Sequence, residues 1–150
     1  VGVMMLRATA AALLVALPAA ADPPLTRAEP LVRLVLQEAN TEPFAGKVAV
    51  AGVAIDRAAD GRYWPSEVNE VVYQPEQFTG MGIRLGDYTA ANILEAREAV
   101  AAALAGNRPC GRVLWFHTAG ADVRWAEGSN PTCRIGGHVF YEALRKETLR

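Results

Sequence analysis

Two apolar segments separated by a short polar break dominate the first half of the chain. They run from Leu31 to Ala39 and from Phe44 to Ala59, and residues 40–43 (NTEP) lie between them. In the first segment the apolar residues recur at helical spacing and share one face. Pro43 suits the first turn of a helix, where a missing N–H costs nothing. The pattern predicts two apolar helices joined by a tight turn.

The composition fits a single globular domain. Hydrophobic residues make up 51% and charged residues 21% of the 150 residues, a balance typical of folded chains. The formal net charge of -1 provides no positive field to attract nucleic acid. We therefore expect no nucleic-acid partner, and we place one domain at residues 31–150 after a polar leader at residues 22–30.

The N-terminal residues 1–21 have the pattern of a secretory signal peptide. Arg7 precedes an apolar run from Ala8 to Leu17, and three small residues at 19–21 fit a signal peptidase site. The run is shorter than the roughly 20 residues of a membrane span, and an uncleaved anchor helix is the alternative. We expect cleavage after Ala21, export to the periplasm or cell envelope, and no stable membrane insertion afterwards.

Turn residues and spacing predict two further helices. Ser66 is positioned to cap a short helix that ends at Tyr73. Thr89 is positioned to cap a longer helix that ends at Gly106. The glycine-rich segment at 77–88 contains no phosphate-binding pattern and is expected to be irregular.

The last third of the chain changes to short extended runs. Arg112–Thr118 and His138–Leu144 are rich in β-branched and aromatic residues, which predicts two strands. Gly136 and Gly137 precede the second strand and indicate a turn or a close backbone approach. Helices followed by a small antiparallel sheet predict an α+β fold that is mostly helical.

The chain has two cysteines, Cys110 and Cys133. In an exported protein an even pair predicts a disulfide. The alternative is a zinc site that adds His117 and His138 to the two thiolates, although the spacing differs from the usual C-x2-C pattern. We favour the disulfide and expect no bound metal.

Glu38 lies on the apolar face of the first predicted helix, in its last turn. Burial and the helix dipole both raise the pKa of a carboxyl at such a position, which suits a general acid near neutral pH. Glu42, four residues further along the chain, is expected to add like-charge repulsion. The alternative is a structural ion pair between Glu38 and a buried arginine such as Arg57.

No other catalytic motif competes with Glu38. The sequence has neither G-x-S-x-G nor H-E-x-x-H, and neither cysteine lies in a nucleophile motif. One functional glutamate in an exported domain suggests glycoside chemistry. Hydrolysis of a glycoside normally uses two carboxylates. A transglycosylase can act with one if a sugar hydroxyl replaces water as the attacking group.

Several segments together resemble the SleB/CwlJ-type cell wall hydrolases. They are LVLQEANTEPFAGKVAVAGVAIDR, VVYQPEQFTG, Trp125 and RIGGHVFY, and the resemblance runs from about Leu31 to Tyr141 with order and spacing preserved. It implies a lysozyme-like α+β fold and a lytic transglycosylase that acts on the glycan strands of peptidoglycan. No cofactor is expected.

The resemblance also implies roles for individual residues. Glu38 matches the catalytic glutamate of the family, which protonates the oxygen between N-acetylmuramic acid and N-acetylglucosamine. As a carboxylate it then takes the proton from the muramic C6 hydroxyl, which closes a 1,6-anhydro ring. The positions implied to bind substrate are Glu42, Gln77, Phe78, Trp125, His138 and Tyr141.

Most of the implied binding positions have a structural interpretation as well. Phe78 and Tyr141 suit the core, where aromatic side chains usually lie. His138 suits a structural hydrogen bond, and Trp125 either stacks on a sugar or covers an edge of the core. For Gln77 the two interpretations are equally open.

The chain departs from the family pattern at the break after the first helix. Asn40-Thr41 stands where the family commonly has Arg-Gly, and Asp56 stands where it has Asn. Asparagine tolerates the left-handed backbone that glycine would supply, whereas threonine does not. We therefore expect the turn before Glu42 to shift by one residue.

Two other functions stay open at this point. One is an amidase that cuts the muramoyl–peptide bond with a metal held by His117 and His138. The other is a non-catalytic module that binds the cell envelope and retains the fold.

Overall fold

The computed structural model describes residues 28–78 and 81–145. These residues form four α-helices: α1 (Glu29–Ala39), α2 (Phe44–Asp60), α3 (Val68–Tyr73) and α4 (Ala90–Leu104). Single turns of 3-10 helix lie at Leu85–Asp87 and Arg124–Ala126. A three-stranded antiparallel sheet, in the order β1-β3-β2, is formed by β1 (Trp115–Thr118), β2 (Cys133–Ile135) and β3 (His138–Tyr141).

The predicted mostly helical α+β fold is confirmed. The predicted signal peptide and residues 22–27 of the predicted leader lie outside the described residues. None of the helices in the described ranges has the length and apolar character needed to cross a membrane.

The helix α2 is the centre of the helical layer. It is buried on most of its circumference and contacts α1, α3 and α4. A helix that is apolar on nearly all sides must be enclosed by other elements. The neighbouring helices supply this cover with apolar faces, as in the fully buried Leu31, Leu34 and Val35 of α1. Small residues such as Ala96 and Ala99 form the core-facing side of α4.

The break between α1 and α2 is a tight turn built without a left-handed residue. Asn40 keeps right-handed helical backbone angles (φ -56°, ψ -37°), and Thr41 has no positive φ either. The Glu42 N–H donates to the Ala39 carbonyl oxygen at 3.0 Å, and extended Pro43 starts α2 as its N-cap. A right-handed turn therefore satisfies the backbone here without the left-handed conformation that glycine would supply.

Two predicted helix starts have different outcomes. Ser66 does not cap α3, since the N-cap is Glu67 and no side chain accepts a backbone N–H there. Thr89 caps α4 as predicted, and Asn92 completes a capping box. The Asn92 N–H donates to Thr89 Oγ1 at 3.1 Å.

The strands differ from the predicted runs at their ends and in number. The first begins at Trp115 rather than Arg112, and the last ends at Tyr141 rather than Leu144. The strand β2 was not predicted, because it has only three residues and follows a polar loop. It pairs with β3 across the turn at Gly136 and Gly137, which confirms the turn predicted there.

The sheet has two faces that are both covered. Directly paired residues of antiparallel strands share a face, and faces alternate along each strand. Phe116 pairs with Phe140 on the face towards the helices, here called the inner face. Trp115 pairs with Tyr141 on the other side, here called the outer face. The outer face packs against the segment around Ala126.

The disulfide predicted between Cys110 and Cys133 is present, with 5.7 Å between the two Cα atoms. It ties the segment after α4 to β2. Because both thiols are consumed in the bond, the alternative zinc site that required them is wrong.

We expect that replacing both cysteines, C110S/C133S, lowers the free energy of unfolding by about 3 kcal/mol, because the unfolded chain loses a covalent loop constraint. Urea unfolding followed by circular dichroism measures the change. As a control, a reductant should lower the stability of the wild type to that of the variant and leave the variant unaffected. Equal stability of the oxidised wild type and the variant would contradict the prediction.

Candidate active site

Glu38 lies in the last turn of α1, at the carbonyl end of the helix dipole. Its Oε1 atom is buried, and no described residue hydrogen-bonds to it. Burial raises the pKa of the Glu38 carboxyl above its ordinary value of 4.5. A buried carboxyl without a partner is costly to keep and is characteristic of functional sites. Burial therefore shifts Glu38 towards the protonated form, which is the form that can donate a proton.

The ion pair considered for Glu38 does not form. Arg57 directs Nε to the Leu114 carbonyl oxygen at 2.7 Å and Nη1 to Gln77 Oε1 at 3.4 Å. Burial lowers the pKa of Arg57 to about 10, so the guanidinium is charged at neutral pH. The ion pair proposed between Glu38 and Arg57 is therefore wrong, because Arg57 binds other groups.

Glu42 is half-buried and bonds to the β2–β3 turn. Its Oε2 accepts a hydrogen bond from the Gly137 N–H at 2.7 Å. Gly136 has a positive φ of 54°, and a Cβ at this position would collide with Glu42 Oε2. The carboxylate thus occupies the space that the two glycines leave open. Burial is the resolved cause of the raised pKa of Glu38, so the repulsion expected from Glu42 is not needed to explain it.

The inner face of the sheet contributes a set of packed rings. The Phe116 ring lies 6.3 Å from the Phe78 ring in a stacked arrangement and 5.1 Å from the His138 ring in an edge arrangement. Phe140 completes the group at 5.7 Å from Phe116. The structure therefore brings Phe78 and His138 together through a residue, Phe116, that the sequence analysis missed.

His138 is 5% exposed, and its Nδ1 atom has no hydrogen-bond partner among the described residues. Burial lowers the pKa of His138; the negative charge of Glu42 opposes this fall, and His117 adds to it. The imidazole is therefore neutral at neutral pH. Among the described residues, none forms a hydrogen bond with Nδ1, so a structural hydrogen bond at this nitrogen lacks support.

Trp125 and Tyr141 lie apart from these rings, on the outer face. The Trp125 ring is 5.6 Å from the His117 ring and 6.0 Å from the Tyr141 ring. His117 Nδ1 donates to the Thr118 carbonyl oxygen at 2.8 Å, so in the neutral ring Nε2 accepts from the Tyr141 hydroxyl at 2.8 Å. Of the six residues implied to bind substrate, Phe78 and His138 therefore lie on the inner face, and Trp125 and Tyr141 lie on the outer face.

The two faces of the sheet also separate the two histidines that a metal-dependent amidase would need. His117 pairs with Val139, and Thr118 pairs with His138, so the two histidines project from opposite faces. Two side chains on opposite faces cannot converge on one metal ion. In the described part of the chain, no group of three or more histidine, cysteine or acidic residues has the arrangement of a metal site.

Arg57 is a second feature that the sequence analysis did not assign to the site. Its guanidinium carbon lies 5.1 Å from the centres of both the Trp64 and Phe78 rings. This contact joins the buried cation to the segment that carries Gln77, whose side chain is exposed. Arg57 was recognisable as a charged residue in an apolar helix, but its ring contacts arise only from the folded chain.

The family model described as Cell Wall Hydrolase matches residues 41–141. The spore cortex-lytic enzyme of Bacillus subtilis (strain 168) is 34% identical over 113 residues, which cover 75% of this chain and 36% of that protein. The spore cortex-lytic enzyme of Oceanobacillus iheyensis is 32% identical over 111 residues, which cover 73% and 39%. The match thus spans less than two-fifths of the length of these curated relatives.

Two solved structures share the fold. The catalytic domain of the germination-specific lytic transglycosylase SleB from Bacillus anthracis has a TM-score of 0.67 and 26% identity, covering 81% of this chain and 98% of that domain. The SleB catalytic domain of Bacillus cereus has a TM-score of 0.59 and 28% identity, covering 75% and 89%. The resemblance seen in the sequence is confirmed: the chain belongs to the cell wall hydrolase family.

Proposed function

We propose that this chain degrades peptidoglycan by cleaving the bond between N-acetylmuramic acid and N-acetylglucosamine, as a lytic transglycosylase with Glu38 as its single acid and base. The observation that carries the proposal is the Glu38 carboxyl, whose pKa is raised by burial and whose Oε1 has no partner. The similarity to a domain named as a lytic transglycosylase supports the same assignment.

In the first step, protonated Glu38 donates its proton to the bridging oxygen. The bond between muramic C1 and this oxygen breaks, and its electron pair leaves with the N-acetylglucosamine hydroxyl. Positive charge then develops at muramic C1, as in other glycoside cleavages. The Glu38 carboxylate produced in this step is next to that charge and stabilises it.

In the second step, the Glu38 carboxylate takes the proton of the muramic C6 hydroxyl. The C6 oxygen attacks C1 and closes the 1,6-anhydro ring, and Glu38 is protonated again. The cycle consumes no water, and one carboxyl group performs both proton transfers. A raised pKa suits this dual role, because the group must donate and accept a proton at the same pH.

The state of Glu42 favours this reaction over hydrolysis. A hydrolase of the usual kind needs a second carboxylate as nucleophile or as base for a water molecule. Glu42 is the carboxylate nearest to Glu38 in sequence, and its Oε2 already accepts the Gly137 N–H. This bond supports a mechanism in which the second carboxylate does not attack the sugar or activate water.

The other residues implied to bind substrate lie in different surroundings, which support different roles. Gln77 is exposed and offers an amide to a sugar, whereas Phe78 and His138 act from beneath as part of the inner-face rings. Trp125 and Tyr141 act on a sugar only if the glycan strand extends around the sheet to the outer face.

Peptidoglycan lies outside the cytoplasmic membrane, which supports the export expected from the signal-peptide pattern.

We expect purified protein to release muropeptides with 1,6-anhydromuramic ends from isolated sacculi, because an internal hydroxyl replaces water. Mass spectrometry of the soluble products measures this. Reducing ends would indicate a hydrolase, and new amino termini on stem peptides would indicate an amidase. Binding to sacculi without soluble products would indicate a non-catalytic module.

We expect E38Q to lower the rate of glycan cleavage at least 100-fold, because the amide can neither donate nor take the proton. Release of soluble muropeptides measures the rate, and circular dichroism tests whether the fold is retained. E98Q, the same change at an exposed position on α4, is the matched control and should keep wild-type activity. Retained activity in folded E38Q would refute the assignment.

We also expect E38Q to be more stable than the wild type at neutral pH, by a margin that shrinks as the solution is acidified. Burial raises the pKa of Glu38 in the folded chain, so the folded state loses stability as pH rises through that pKa and the carboxyl ionises. Below the ordinary pKa of glutamate both states are protonated, and the difference disappears. Melting temperatures of the wild type and E38Q from pH 3 to 8 test this. A difference independent of pH would contradict it.

A further inference from the structure

One carboxylate fastens the β2–β3 turn to the turn between α1 and α2. The hydrogen bond from the Gly137 N–H to Glu42 Oε2 is 2.7 Å long and joins residues 95 positions apart. A hydrogen bond to an ionised carboxylate is about twice as strong as one between neutral groups. This bond joins the last part of the sheet to the start of α2.

Glycines allow the backbone to approach the Glu42 side chain closely. A Cβ on Gly137 would come within 2.9 Å of Glu42 Oε1, and a Cβ on Gly136 would come within 2.7 Å of Pro43 Cδ. A Cβ on Gly46 would lie 3.2 Å from Glu42 Cβ and 3.4 Å from a methyl carbon of Ile135. Three glycines therefore let the backbone close around one side chain.

The turn held by Glu42 leads directly into His138. That ring is buried against Phe116, and its Nδ1 has no partner among the described residues. The negative charge of Glu42 opposes the fall in the pKa of His138 that burial causes, so the two side chains interact electrostatically. Displacement of the turn would therefore move the His138 ring away from its position against Phe116.

We infer that Glu42 is a positioning residue: it holds the β2–β3 turn, and through it His138, beside the end of α1 that carries Glu38, without contacting the sugar itself. This inference rests on the proposed function and replaces the substrate-binding role implied for Glu42 by the resemblance. Glu42 affects catalysis indirectly, because its hydrogen bond to Gly137 fixes the position of His138.

The first test compares E42A with E42Q on soluble glycan oligomers of defined length. E42A removes the acceptor of the Gly137 N–H, and we expect kcat to fall about 10- to 100-fold with KM within about threefold, because small misplacements near a reacting centre cost rates of this size. The amide oxygen of E42Q can still accept the Gly137 N–H, so kcat should recover to within about fivefold of the wild type. E98A is the matched control and should leave both constants unchanged.

The second test follows the turn itself by NMR. In the wild type the Gly137 amide proton should exchange slowly with solvent, because a carboxylate holds it. We expect exchange at this amide to accelerate at least tenfold in E42A, to stay slow in E42Q and to be unaffected in E98A. The ring resonances of His138 should shift in E42A, whereas those of His117 on the outer face should not.

The inference is overturned if E42Q is as impaired as E42A and both raise KM while the Gly137 amide keeps its slow exchange, since Glu42 would then bind substrate. It is also overturned if E42A keeps the wild-type kcat. If E42A does not fold, E42Q decides: loss of activity with a protected Gly137 amide refutes positioning, and retained activity supports it. A wild type without glycan cleavage refutes the proposed function, while exchange at Gly137 still tests the anchoring of the turn.

Discussion

The enclosure of α2 is the constraint on which the rest of the structure depends. This helix is apolar on most of its surface, so α1, α3 and α4 must all pack against it to remove it from water. The sheet is joined to the same helix by a buried cation, since Arg57 of α2 donates to the Leu114 carbonyl oxygen just before β1. Enclosing one helix thus fixes the positions of the elements that carry the site.

The site itself is built from groups that do not favour stability. Glu38 Oε1 and His138 Nδ1 are both buried without a described hydrogen-bond partner, and each such group costs free energy in the folded state. The raised pKa of Glu38 and the lowered pKa of His138 have the same first cause, which is burial. Burial thus shifts both side chains towards their uncharged forms.

The two glutamates of the break have become chemically different although they lie four positions apart. Glu38 lies in the last turn of α1 and has a buried Oε1 without a described partner, whereas Glu42 follows the turn and accepts a hydrogen bond from a backbone N–H. Burial raises the pKa of the Glu38 carboxyl, whereas the Glu42 carboxylate accepts a hydrogen bond from the Gly137 N–H. This difference is consistent with the single-carboxylate mechanism proposed above, because Glu42 is already engaged in a hydrogen bond to Gly137.

The sequence by itself predicted the helices and the disulfide, and it singled out Glu38 as the candidate general acid. These predictions rest on helical periodicity, on the presence of two cysteines and on one acid on an apolar face. Such patterns can be recognised in a sequence without knowledge of the fold. It missed β2, because three residues in a polar loop carry little periodic signal. It also misplaced the cap of α3, since a serine near a helix start does not establish that its side chain bonds there.

Only the tertiary structure decided how the remaining residues group. The sequence could not show that Glu42 meets Gly137, because the two are far apart along the chain and approach only when the sheet packs on α2. Nor could it show that Phe78 and His138 share the inner face while Trp125 and Tyr141 share the outer face. Strand alternation fixes which residues lie on the same side, but only packing against the helices determines which side faces the site.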